Sequence, residues 1–151
     1  MISERVIKIK IFQREIKISV EEEKGNLKVI SHLKDDDHEM KVVLIAEKET
    51  LEIKDINAKM LTVPYQICPE ALNEVRAIIG MKVESGINKK VREVMGGVKG
   101  CVHIVDLLGE CFKGVIQANI RLKIKGLTGD KRIDKLEEMF VDTCRRYKEK
   151  L

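Results

Sequence analysis

The sequence is poor in aromatic residues and has no block of like charge. Aromatic residues make up 3% of the 151 residues and tryptophan is absent, which removes the stacking platforms on which proteins usually bind single-stranded nucleic acid. The 29 basic and 25 acidic residues are interspersed along the chain, so no basic arm is present to follow a phosphate backbone. We therefore expect no nucleic-acid partner.

Long apolar segments are also missing. The longest uninterrupted apolar run is Val42–Ala46, far short of the roughly 20 residues that cross a bilayer. The first ten residues alternate charged and apolar side chains and lack the apolar stretch of a signal peptide. These features predict a cytoplasmic protein without a membrane partner, whose four cysteines are reduced thiols rather than disulfides.

The overall composition is that of a globular protein. Apolar residues make up 44% of the chain and charged residues 36%, a balance that supports a packed core instead of disorder. A chain of this length forms one hydrophobic core. We predict a single domain over residues 1–151, with strands over about residues 5–60 and helices over about residues 69–150.

Apolar residues alternate along the first 60 positions, and this pattern predicts an antiparallel sheet. Lys24-Gly25-Asn26 is a turn signal between two of the strands. Five strands are predicted in all, namely Val6–Ile11, Ile16–Val20, Leu27–Leu33, Met40–Ala46 and Leu51–Met60.

After Pro64 the apolar spacing becomes helical. Pro69 at the first position and Gly80 beyond the end delimit one helix, a second runs over Ile87–Met95, and a third opens at Gly100-Cys101. Asp130 is predicted to cap the last helix, whose apolar stripe is Ile133, Leu136, Phe140, Cys144 and Tyr147. Strands followed by helices indicate a segregated α+β fold, with three to four helices packed on one face of the sheet.

The four cysteines separate into two pairs by their positions. Cys111 and Cys144 lie within helical apolar stripes, which predicts that they are core thiols. Cys68 and Cys101 stand at loop-to-helix junctions, where unpaired N–H groups and the helix dipole stabilise a thiolate. The alternative for the second pair is that both residues only cap their helices.

Two of the three histidines can join the junction cysteines. His103 follows Cys101 by two positions, and the two side chains converge if Cys101 is still outside the helix. Asp106 lies one turn later, where its carboxylate either orients the imidazole of His103 or only favours the helix start. His38 precedes a buried strand, a position that suits a ligand and a solvated loop equally. His32 lies within a strand and carries no such argument.

Two segments carry a resemblance to a known family. Val63–Pro69 and Gly96–Ile104, with His38 and Met40 ahead of a strand, resemble the uncharacterised bacterial family called domain of unknown function 2889. The similarity extends from roughly residue 5 to residue 145. Since that family has no established activity, the resemblance implies where the site lies and not what it does.

The layout also resembles the NifU and IscU type of iron–sulfur cluster scaffold protein. His38 stands where the scaffold has an aspartate, Ile53-Lys54-Asp55 matches a strand, and Cys68 and Cys101 match the second and third scaffold cysteines. The scaffold's first cysteine and the glycine after the second are absent, and His103 follows the last cysteine instead of preceding it. The resemblance implies a related fold that is competent to hold a metal.

Three functions are consistent with these residues. The leading one is a metal-binding or iron–sulfur-handling module. Its predicted ligands for zinc or an iron–sulfur cluster are Cys68, Cys101, His103 and His38, and Asp106 is predicted to contact a ligand without binding the metal itself. The second is a thiol enzyme with Cys101 as nucleophile and His103 or His38 as base. The third is an adaptor protein without catalysis. The first and third functions are not enzymatic, so a protein that is not an enzyme is favoured. The expected partner is a small metal or sulfur species or another protein, which can be a second copy of this chain.

Overall fold

A four-stranded antiparallel sheet forms the first part of the protein. The structure, a computed structural model, describes residues 7–148. The strands follow one another in the sheet in chain order, and they are β1 (Arg14–Glu23), β2 (Asn26–Asp35), β3 (Glu39–Glu47) and β4 (Ile53–Thr62). Helices follow the strands, so the predicted α+β class with an antiparallel sheet is confirmed.

The turn between β1 and β2 is the one that the sequence predicts. Lys24 and Gly25 both have positive φ angles, of 50° and 79°, and Glu23 pairs with Asn26 on either side of them. Two-residue hairpin turns favour positive φ because their twist then matches that of the strands. This turn sets the register of the whole β1–β2 pair.

The first predicted strand, Val6–Ile11, is wrong over the residues that the structure describes. Residues 7–13 belong to no strand, and the side chains of Ile7, Ile9 and Ile11 are exposed; Val6 lies outside the described residues. Alternation makes a strand only where a neighbouring strand supplies hydrogen bonds. Positions 12 and 13, phenylalanine and glutamine, offer no glycine or asparagine for a two-residue turn back onto β1.

One face of the sheet is buried, and the first part of the longest helix packs on it. The side chains that alternate inward from β2 and β3 are inaccessible to solvent, among them Leu27, Val29, Leu33, Met40, Val42, Leu44 and Ala46. The Cys111 thiol lies 3.2 Å from the Ser31 hydroxyl of β2. A Cβ atom added at Gly114 would meet Val20, Ile18 and Val29, so the helix axis runs close above β1 and β2.

The helical elements begin at Cys68. Cys68–Ile78 is a 3₁₀ helix instead of the predicted α-helix, with Pro69 in its first turn. The remaining elements are α1 (Ile87–Met95, with the predicted bounds), a 3₁₀ turn (Gly97–Lys99), α2 (Val102–Lys123), α3 (Gly129–Phe140) and a second 3₁₀ turn (Arg145–Tyr147). The N-cap of α3 is Thr128, so Asp130 lies in its first turn and does not cap it.

The chain forms two compact units that meet in sequence within α2. The first extends to Val115 and holds the sheet, the Cys68–Ile78 helix and α1, and the second begins at Ile116. The expectation of a single domain stays a prediction. Among the described helices, none combines the length and the apolar character that crossing a membrane requires.

The predicted core position of Cys144 is wrong, whereas that of Cys111 is confirmed. Cys111 is fully buried, but Cys144 is exposed and lies beyond the end of α3. The helix ends at Phe140 because Val141 is extended and Asp142 has a φ of 57°. The ring of Tyr147 stacks on Phe140, with centroids 5.2 Å apart, although the helix does not continue between the two residues.

Gly109 lies inside α2 with room for a methyl group. The nearest atom to an added Cβ is the side-chain oxygen of Asn88, at an ordinary contact distance of 3.5 Å. We expect Gly109→Ala to raise the free energy of unfolding by about 0.5–1 kcal/mol, because alanine restricts the unfolded chain and favours the helix. Urea denaturation measures this change in the free energy of unfolding. Gly114→Ala is the control: its Cβ would lie 3.2–3.4 Å from three side chains, so an equal gain at both positions would contradict the expectation.

Candidate functional site

One cleft brings together the four residues that the sequence singles out as ligands. It has a volume of about 720 Å³ and lies wholly within the first unit. Cys68, Cys101, His38 and His103 all line it. They come from the start of the first 3₁₀ helix, the residue before α2, the residue before β3 and the first turn of α2. The cleft therefore joins parts of the chain that are distant in sequence.

A glycine-rich loop places Cys101 at the start of α2. Gly97 has a φ of 60°, a conformation that L side chains rarely adopt. A Cβ atom at Gly100 would collide with the backbone carbonyl of Met95, and one at Gly96 with that of Arg92. The tight turn after α1 thus depends on glycine, and it delivers Cys101 to the position directly before Val102, the first residue of α2.

Cys101 and His103 contact each other in the cleft. Sγ of Cys101 lies 3.7 Å from Nδ1 of His103, and both residues are half-buried. A sulfur and a nitrogen bound to one tetrahedral zinc ion at ~2.3 and ~2.0 Å lie about 3.5 Å apart. The observed separation is close to that of two ligands of one ion, and it also suits a thiol–imidazole hydrogen bond.

His38 is held by the carboxylate of Asp35. Nδ1 of His38 lies 2.9 Å from Oδ1 of Asp35, which also accepts the backbone N–H groups of Asp37 and His38 at 3.0 and 2.8 Å. The other oxygen, Oδ2, accepts Nε and Nη2 of Arg14 at 2.9 and 2.7 Å. The Asp35 side chain is 1% exposed. Five donors thus surround a buried carboxylate.

The charge state of Asp35 fixes the tautomer of His38. Burial acts to raise the pKa of Asp35, but hydrogen bonds from Arg14, the Asp37 backbone and His38 outweigh it and bring that pKa well below its usual range. An ionised carboxylate only accepts hydrogen bonds, so Nδ1 of His38 carries the proton. In the neutral form of the His38 imidazole the lone pair is then on Nε2, as in histidines that bind metals.

The two imidazole rings pack against each other. The ring centroids of His38 and His103 are 4.0 Å apart at an interplanar angle of 38°. Burial lowers the pKa of His103, as do electrostatic interactions with the His38 ring in its protonated form and with Arg14, while the charges of Asp35 and Asp106 oppose this effect. His103 is therefore neutral near pH 7, with a nitrogen lone pair available.

Asp35, His38 and His103 form a compact group. One donor atom of each lies within 4.8 Å of the others, a spacing that a metal ion can bridge. Because both oxygens of Asp35 already accept hydrogen bonds, its carboxylate orients His38 instead of supplying a ligand. Sequence reasoning missed Asp35, which looks solvated in a run of three aspartates. Counting residue pairs outward from the Lys24-Gly25 turn would have placed it opposite Arg14.

Two other polar residues lie apart from this contact network. Asp106 is exposed on α2 and raises the pKa of His103 through its charge; its predicted role as an orienting carboxylate stays a prediction. His32 lies on β2, where its Nε2 is 2.9 Å from Oε1 of Glu39.

The cysteines differ in exposure, which predicts the order in which they react. All four are free: Cys144 is exposed, Cys68 and Cys101 are half-buried, and Cys111 is buried. Burial raises the pKa of Cys111 to about 11, against the lowering effect of its Ser31 hydrogen bond, so very little reactive thiolate forms at pH 8. We expect iodoacetamide to modify Cys144 first and Cys111 only after unfolding, as read by mass spectrometry. Rapid labelling of Cys111 in native protein would contradict the buried position.

Comparison with known proteins gives one match. The model of a family described as "Protein of unknown function (DUF2889)" matches residues 12–117, a range that contains Asp35 and all four cleft ligands predicted from sequence. No curated protein and no solved structure matches the chain. The resemblance to iron–sulfur scaffold proteins stays a prediction.

Proposed function

Because the chain belongs to the DUF2889 family of proteins of unknown function, its site has to be interpreted from its own geometry, and we propose that it is a metal-binding protein with a Cys/His centre for zinc. The observation that carries this proposal is the 3.7 Å separation of Cys101 Sγ and His103 Nδ1. Cys101 and His103 are the first proposed ligands, and His38, Cys68 or a water would complete the set. Among the described residues, no group of three donor atoms that includes a cysteine lies within 4.8 Å, so ion binding would draw these side chains closer together.

The donor chemistry supports zinc. Thiolate sulfur and neutral imidazole nitrogen are the ligands that zinc takes in tetrahedral sites. His103 is neutral near pH 7 since its pKa is lowered, and Asp35 holds His38 with Nδ1 protonated. A carboxylate behind a metal-bound histidine raises the basicity of the ligand and fixes its orientation. These observations support a zinc site in which Asp35 would orient one of the ligands.

An iron–sulfur cluster is the alternative cofactor. Two cysteines and two histidines also hold the [2Fe–2S] cluster of Rieske type, in which the cysteines and the histidines bind different iron atoms. Cys101 and His103 are spaced for a single ion, which favours zinc.

Metal content tests the proposal. The full chain, purified anaerobically and loaded with zinc, is expected to retain about one ion per chain after gel filtration. Cys101→Ser and His103→Ala should each weaken binding at least tenfold. Cys144→Ser is the matched control, because it removes a thiol that is exposed and lies outside the first unit. A wild-type chain that retains no metal, or a Cys101→Ser/His103→Ala chain that binds as tightly as wild type, would overturn the proposal.

The same contact supports a second candidate, a thiol enzyme. In it His103 acts as the base for the Cys101 nucleophile across the 3.7 Å separation. The rate of Cys101 alkylation in metal-free protein distinguishes this function. We expect a pH profile with an inflection near the imidazole pKa that disappears in His103→Ala; a profile that is the same in both proteins would exclude base catalysis by His103.

A further inference from the structure

The walls of the cleft indicate what it binds. We propose that the cleft takes a small organic molecule with an uncharged apolar body and a single oxygen or sulfur donor group that reaches the metal. The donor group rests on the proposed metal function, with a water instead of Cys68 in the fourth position of the metal. The apolar body is argued from separate observations, so that the two are tested apart.

Four large apolar side chains that are exposed to solvent line the cleft. Tyr65, Ile67 and Val102 are 71%, 68% and 66% exposed, Val98 is fully exposed, and all four line the cleft. Single exposed apolar residues are normal on a protein surface, but a contiguous group marks a binding site. Here the group surrounds the same space that holds the cysteines and histidines.

The size of the cleft favours a small molecule as occupant. Its volume of about 720 Å³ lies within the ~300–1,000 Å³ of sites for small ligands, whose walls are mostly apolar with a few convergent polar groups. A specific protein interface needs about 800 Å² on each partner, whereas these side chains line a concave space. A few convergent polar groups are also present, in Cys101 and His103.

The charges around the cleft favour an uncharged body. Glu70 and Glu74 line it from the first 3₁₀ helix and Lys99 lines it from the glycine-rich loop, and all three are exposed. The carboxylates outnumber the ammonium group, so negative charge is disfavoured on the part of a ligand that lies beside Glu70 and Glu74, away from the metal. A ligand with a single donor group at the metal and an otherwise apolar, uncharged body fits both the apolar lining and the charges of the cleft.

A series of alkyl hydroxamates tests the proposal on the full chain. Cobalt(II) replaces zinc so that the visible spectrum reports both metal binding and occupation of its open position. From acetohydroxamate to octanohydroxamate, we expect affinity to rise about two- to fourfold per methylene, the gain from burying that group. Ile67→Ser and Val98→Ser should flatten this dependence. Leu61→Ser is the control, because Leu61 is an exposed apolar residue of β4, at 58%, that does not line the cleft.

Two results would overturn the inference: an affinity that does not depend on chain length, or a dependence that Ile67→Ser and Val98→Ser leave unchanged. If cobalt does not bind, the metal function fails, and the apolar walls are tested on the metal-free chain with the neutral fluorophore N-phenyl-1-naphthylamine. Enhanced emission that Ile67→Ser/Val98→Ser removes supports the apolar body. No enhancement, or enhancement that survives in that variant, contradicts it.

Discussion

Asp35→Ala is expected to lower the free energy of unfolding by about 3 kcal/mol, because removing one partner of a buried ion pair leaves the other groups unsatisfied. The carboxylate accepts bonds from Arg14, from His38 and from two backbone N–H groups. Urea denaturation at pH 7 measures the loss. Asp36→Ala, at an exposed neighbouring position, is the control and should change stability by no more than about 0.5 kcal/mol.

The stability that Asp35→Ala loses relative to wild type depends on pH. The pKa of Asp35 is lowered on folding from its ordinary 3.8, so the unfolded chain takes up the proton first as the pH falls. The stabilisation is therefore fully present well above that value and declines below about pH 4. The difference in stability between wild type and Asp35→Ala should be constant from pH 5 to 7 and shrink at lower pH. A difference that grows below pH 4 would contradict the ion pair.

Metal affinity provides an independent measurement on this variant. Without the Asp35 carboxylate, Nδ1 of His38 no longer has a fixed proton, and loss of such an orienting group typically weakens metal binding by about 10–100-fold. We expect that loss in the proposed zinc site. Unchanged affinity in Asp35→Ala would remove His38 from the ligand set while leaving Cys101 and His103 in place.

Gly100→Ala is expected to destabilise the protein by about 2–4 kcal/mol and to displace Cys101 from His103. The new Cβ would collide with the carbonyl oxygen of Met95, which is a fully buried residue. Thermal unfolding gives the stability, and faster alkylation of Cys101 reports the loosened junction. Gly97→Ala separates collision from backbone strain: nothing lies within 4 Å of its Cβ, so only its positive φ costs about 1–2 kcal/mol. Equal effects at both glycines would contradict the steric argument.

Apolar periodicity and turn signals predicted the strands, turns and helices that are determined by short stretches of sequence. The alternation in β2 and β3 matches their buried faces, the turn at Lys24-Gly25 has the expected positive φ angles, and α1 has the predicted bounds because Gly96 follows it directly. The junction positions of Cys68 and Cys101 were also readable, since each precedes or opens a helix. Helix start signals and a period of two are properties of short segments.

The errors involve residues whose state depends on distant parts of the chain. Residues 7–11 alternate as well as β1 does, but none of the described strands pairs with them. Asp35 and Asp36 look alike in sequence, and only the guanidinium of Arg14, across the hairpin, makes one of them a buried anion. Cys144 fits the stripe of α3, but the positive φ of Asp142 turns the backbone before that position.

The contact between the tilted rings of His38 and His103 joins two points that are 65 positions apart in the chain. An ion held by both imidazoles would close that length of polypeptide into a ring that spans β3, β4 and α1, and it would act as a removable cross-link. Its contribution to stability would follow the free ion concentration, reaching about 2.7 kcal/mol at 100 times the dissociation constant. The lifetime of the folded chain would then be adjusted by metal supply without any change in its covalent structure.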